Sequence, residues 1–71
     1  MKYIIESENK YYNTLRELKD HIWLQSDQDK KAYNGLSIFC YKGDNYIGCK
    51  AIKITGLKVI FSRTIKAQSF E

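Results

Sequence analysis

One histidine, two cysteines and eight carboxylates are the side chains of this 71-residue chain best suited to chemistry. A Cys–His nucleophile needs a thiol within hydrogen-bond reach of an imidazole. His21 follows Asp20 on the polar side of a helical pattern, while Cys40 and Cys49 fall in apolar, strand-like stretches, so no such pair is expected. General acid–base work needs carboxyl groups turned toward one another, but the carboxylates are spread over the helical stretch and the loops. Two cysteines and one histidine are too few for a disulfide framework or a zinc site, and free, buried thiols are the natural reading. Gly35, Gly43, Gly48 and Gly56 stand apart rather than in a phosphate-cradling loop. Three of them mark turns, and Gly48 is read as relieving crowding by Phe39 across a strand pair. The expectation is a protein that is not an enzyme and carries no cofactor and no metal.

The elements that hold these residues must fit in one small domain over 1–71, because a chain this short buries only about 60% of its unfolded surface. Hydrophobic residues at 44% and charged residues at 28% are typical of folded domains. Aromatics at 14%, including six tyrosines, are in excess, and some are expected at an interface. No apolar run reaches the roughly 18 residues of a membrane span, and the opening Met1 to Glu6 is too short for a signal-peptide core. A soluble, cytoplasmic protein with no membrane partner is expected. The net charge of +4 is uneven. Residues 1–35 carry six basic and six acidic side chains, whereas residues 36–71 carry Lys42, Lys50, Lys53, Lys58, Arg63 and Lys66 against Asp44 and Glu71. The preference for Lys over Arg and the wealth of Ile, Tyr and Asn are common in proteins from AT-rich genomes, and in style the chain resembles the short accessory proteins of bacterial phages and mobile elements.

Periodicity gives an α+β fold of order β-α-β-β-β, one helix packed on a mostly antiparallel three- to four-stranded β-meander. Tyr3 to Ile5 forms a short strand. Thr14 stands three residues before Glu17 as a capping box, and Tyr11, Leu15, Leu18 and Ile22 then share one helical stripe with Trp23 at its flank. Leu24 lies opposite the stripe and is expected to be exposed. Ser26 to Asp29 and Asn34-Gly35 read as loop. Leu36 to Tyr41 alternates as a strand, and Gly43-Asp44 suits a two-residue type II′ hairpin turn because its first central position takes positive φ. That turn sets Tyr41 against Tyr46, Cys40 against Ile47 and Phe39 against Gly48, placing Leu36, Ile38, Cys40, Ile47, Cys49 and Ala51 on the face under the helix. Cys40 and Cys49 are then diagonal neighbours on one face. A third strand reaches about Thr55, and a fourth runs from Lys58 to about Lys66 after a Gly56-Leu57 turn. Residues 67–71 have little to bury and are expected to fray.

The alternation slips along the third strand. Ile47, Cys49 and Ala51 share one parity, and Ile52 and Ile54 share the other with Val59, Phe61 and Ile65. Either a β-bulge near Ala51-Ile52 returns the later residues to the helix side, or Ile52, Ile54, Val59 and Phe61 join the outer face as a large apolar patch. The bulge is preferred because it makes an ordinary core. In this register Lys50 lies across from Arg63 on the face of Phe39, Tyr41 and Tyr46. Together with Lys53, Lys58 and Lys66 they form the candidate binding face, able to neutralise phosphates and stack on bases. The first functional expectation is a non-enzymatic binding or adaptor module acting through this face on a protein partner or a second copy. The alternative is a nucleic-acid-binding accessory protein using the same basic, aromatic sheet face.

Overall fold

The computed structural model describes residues 1–56 and 58–66. The conformation of Leu57, and hence the expected turn there, and the expected fraying of 67–71 lie outside the described residues. The elements are β1 (Lys2–Ile5), β2 (Tyr11–Tyr12), α1 (Leu15–Trp23), α2 (Asp27–Tyr33), β3 (Ser37–Lys42), β4 (Asn45–Thr55), β5 (Lys58–Phe61) and β6 (Ile65–Lys66). The strands pair antiparallel in the order β2-β1-β3-β4-β5, and β6 continues the β5 edge against β4.

This arrangement corrects the expectation of one helix on a three- to four-stranded meander: two helices accompany a curled, five-stranded half-barrel. The second helix is α2, where a loop was expected. Ser26 caps it by accepting a hydrogen bond from Asp29 N at 3.2 Å, the same device by which Thr14 caps α1 through Glu17 N at 3.1 Å. No residue of α2 is buried, so it carries no apolar stripe by which periodicity could find it. The further strand is β2. Tyr11 and Tyr12 pair with Ile4 and Tyr3 instead of extending the helical stripe, and Tyr11 is 53% exposed. β1 in turn lies inside the sheet, between β2 and β3.

The hairpin forms through Gly43-Asp44, with Lys42 opposite Asn45 and Tyr41 opposite Tyr46. Gly43 alone of the turn has positive φ, at 61°, as the type II′ geometry requires. Beyond Tyr46 the register steps, and Cys40 pairs with Gly48, Phe39 with Cys49 and Ile38 with Lys50. Ile47 is therefore the extra residue of a bulge. Gly48 beside it takes φ 147°, which L side chains rarely adopt. The parity slip is thus resolved at Ile47-Gly48 rather than at Ala51-Ile52. From Gly48 onward the even-numbered residues of β4 face inward, carrying Ile52 and Ile54 with their partners Phe61 and Val59 into the helix side. Cys49 and Ala51 move to the outer face, correcting their expected place under the helix, and Cys40 and Cys49 stand on opposite faces as free thiols.

A second irregularity occurs on the neighbouring strand. Ile52 pairs with Phe61 and Cys49 with Ile65, three steps on β4 against four on its partner. Ser62 fills the break: its N–H donates to Ala51 O at 3.0 Å and its Oγ accepts from Ala51 N at 2.9 Å. Bulges bend a strand and raise its twist, and two of them along β4 account for the curl.

Inside the curl, Leu18 and Ile22 of α1 meet Ile5, Ile38, Ile52 and Val59, all essentially buried. Each such side chain contributes about 1.5–3 kcal/mol. Phe61, Ile54, Ile47 and Tyr33 pack around this cluster, half-buried. Leu24 caps α1 and is exposed, as its position opposite the stripe requires. Among the described residues no helix is long and apolar enough to cross a membrane.

Candidate binding face

Directly paired residues of neighbouring strands project to the same side of a sheet, so the register defines the outer face row by row. Tyr11 pairs with Ile4, Ile4 with Phe39, Phe39 with Cys49 and Cys49 with Ile65. This is one unbroken row across β2, β1, β3, β4 and β6. The adjacent row is Lys2, Tyr41 and Tyr46. The rings interlock, with Tyr46 5.5 Å from Tyr41 and 6.2 Å from Phe39 between centroids, and Lys2 Nζ lies 5.1 Å from the centre of the Tyr11 ring. Tyr11, Tyr46 and Ile65 are exposed, Ile65 at 64%. Toward the other end of β4 the same face carries Lys53 paired with Ile60 and Thr55 paired with Lys58.

Of the residues expected to form the face, Phe39, Tyr41 and Tyr46 are brought together, and Lys53 and Lys58 share their side of the sheet. Lys50 does not. Paired with Ile38, it belongs to the inner row, and its Nζ donates to Ser62 O at 3.2 Å. Arg63 is exposed in the link between β5 and β6. Lys66 pairs through its backbone with Gly48. Lys2, Ile4, Tyr11 and Ile65 were not in the expected set. The two-sided apolar run Tyr3-Ile4-Ile5 is the signal that could have placed β1 inside a sheet and these residues with it.

Among the described residues, Asp44 lies in the hairpin turn, and Glu6 follows β1 with its Oε1 accepting from Ser37 N. The other acidic side chains belong to the helices and the β1–β2 loop. The face is therefore aromatic and apolar at one end and basic at the other. Loss of hydration, with Cys49 beside it, pushes the Tyr46 hydroxyl up.

A polar cluster lies apart from this face. His21 Nε2 is 3.2 Å from Glu8 Oε1 and 3.3 Å from Tyr33 Oη, and its ring lies 5.4 Å from that of Tyr12. His21 is thus half-buried against the β1–β2 loop and α2, correcting its expected outward orientation. Burial, and next the Glu8 carboxylate, push the Tyr12 and Tyr33 hydroxyls up. The cluster ties the two helices to the loop. Among the described residues no group of three or more His, Cys, Asp and Glu side chains is placed to hold a metal ion.

These features define a small α+β domain with a curled half-barrel sheet that bears an exposed aromatic cluster. Comparison with protein-family models, curated proteins and solved structures finds no match, so the functional argument rests on the face itself.

Proposed function

We propose that this chain is a non-catalytic binding module whose outer sheet face takes single-stranded nucleic acid. The observation that carries the reading is the arrangement of Tyr11, Phe39, Tyr41 and Tyr46 in two adjacent rows, bordered by Lys2 and continued by Lys53 and Lys58. Exposed rings offer stacking platforms to bases of any sequence, while ammonium groups meet the phosphates and a face poor in carboxylates does not repel them. Binding of a labelled single-stranded oligonucleotide, followed by anisotropy, tests it. With three lysines on the face, the logarithm of the affinity should fall with the logarithm of salt at a slope of about −2. No binding at low salt contradicts the reading.

The exposed Ile65 and Ile60, with Ile4 in the aromatic row, favour a second reading, docking of a protein partner or a second copy on this face. Sedimentation over a range of concentrations separates the two. Concentration-dependent dimerisation that is insensitive to salt, without oligonucleotide binding, supports the second.

A further inference from the structure

Trp23, the only tryptophan of the chain, stands at the C-terminal end of α1 with 46% of its surface exposed. It borders two clefts. One, of about 540 Å³, lies between α2 and the end of β4 and includes Lys30, Lys31, Ile54 and Thr55. The other, of about 220 Å³, includes Lys19, Asp20, Lys58 and Val59. Lys30 Nζ sits 4.0 Å from the centre of the indole ring and 3.7 Å from Asp27 Oδ1. The indole is thus surrounded by four lysines against two aspartates, Asp20 and Asp27. A half-exposed aromatic plane next to ammonium groups suits a ligand that is flat at one end and anionic at the other, which is the chemistry of a nucleotide.

The clefts are continuous with the outer face. Thr55 and Lys58 are paired at the basic end of that face and also line the clefts, one each. We infer that Trp23 forms a further subsite for the same strand, in which a base packs against the exposed part of the indole and its phosphate meets Lys31 or Lys58. The inference rests on the nucleic-acid reading of the sheet face and extends the footprint around the β4–β5 end of the half-barrel.

The single tryptophan reports on this cleft directly. A 12-nucleotide mixed-sequence single strand is titrated at low salt, with anisotropy of an end label and indole emission read on the same samples. The subsite predicts that the emission is quenched or shifted with the midpoint of the anisotropy curve. Trp23→Ala should weaken the 12-mer about tenfold, and Lys31→Glu, at an exposed position, should weaken it several-fold while leaving the melting curve unchanged. Binding by anisotropy with unmoved indole emission and wild-type affinity in Trp23→Ala overturns the subsite and leaves the face reading standing. Absence of binding in anisotropy overturns both.

Discussion

Cys40 sits opposite Gly48 while its neighbour Tyr41 sits opposite Tyr46, which leaves Ile47 without a partner of its own on β3. That single unpaired residue assigns every later side chain of β4 to its face. It sends Ile52 and Ile54 inward and leaves Cys49 and Ala51 outside. The bulge depends on Gly48, whose φ of 147° is strained for any residue with a Cβ. Gly48→Ala should cost about 1–3 kcal/mol in urea unfolding. A Gly48→Ala protein with wild-type stability would show that the register does not require the bulge.

The two thiols should behave differently. Cys40 is 1% exposed and its thiol is pushed up by burial, whereas Cys49 is half-buried on the outer face. A thiol reagent at mildly alkaline pH should titrate one sulfhydryl quickly in the native protein, and the second only at the rate of unfolding. Two fast thiols, or modification of Cys40 ahead of Cys49, would contradict the assigned faces.

Much of the interior was legible in the residues. Thr14 and Glu17 announced the start of α1, Leu18 and Ile22 its buried stripe, and Gly43-Asp44 the hairpin turn. The conflict of parity between Ile47 and Ile52 announced a bulge. Its position is hidden because a glycine across from Phe39 also reads as relief of crowding, whereas Gly48 is the positive-φ residue of the bulge itself. α2 escaped because helix periodicity is visible only where one face is buried, and none of its residues is fully buried. Its cap was present as Ser26 and Asp29 all the same. Tyr11 fitted the helical stripe by spacing alone, and only pairing with Ile4, seven residues earlier, makes it a strand. The candidate face was therefore half legible: Phe39, Tyr41 and Tyr46 follow from local alternation, whereas Lys2, Ile4 and Tyr11 depend on a long-range strand order.

Phe61 distinguishes the inner face from the outer one. It pairs with Ile52 and packs on the core, while Tyr46 stands among exposed rings. Phe61→Ala should cost about 3 kcal/mol, a large share of what so small a domain has, whereas Tyr46→Ala should shift the melting curve little. Equal effects from the two substitutions would contradict the assigned faces.

Stability should fall at alkaline pH. Tyr12 and Tyr33 have folded-state pKa values raised above those of the unfolded chain, so the native state holds their protons more tightly. Their contribution is fully present below about pH 10 and is lost as pH rises through the folded values. The Tyr12 hydroxyl is buried without a hydrogen-bond partner among the described residues, so Tyr12→Phe should leave stability at pH 7 unchanged or slightly higher and flatten the alkaline decline. Thermal melts of both proteins at pH 7 and above pH 10 check this, and a strongly destabilised Tyr12→Phe at pH 7 would oppose it.

The central claim is that the outer face, rather than net charge alone, binds a single strand. Tyr11 and Tyr46 are both exposed, so a Tyr11→Ala, Tyr46→Ala double variant keeps the charge of the wild type and should keep its fold. The direct measurement compares the affinity of wild type and double variant for one labelled single-stranded oligonucleotide at one low salt concentration. The loss of two stacking platforms should weaken binding by about tenfold or more, with circular dichroism and melting unchanged. Equal affinity in the two proteins, or no binding by the wild type, would contradict the claim.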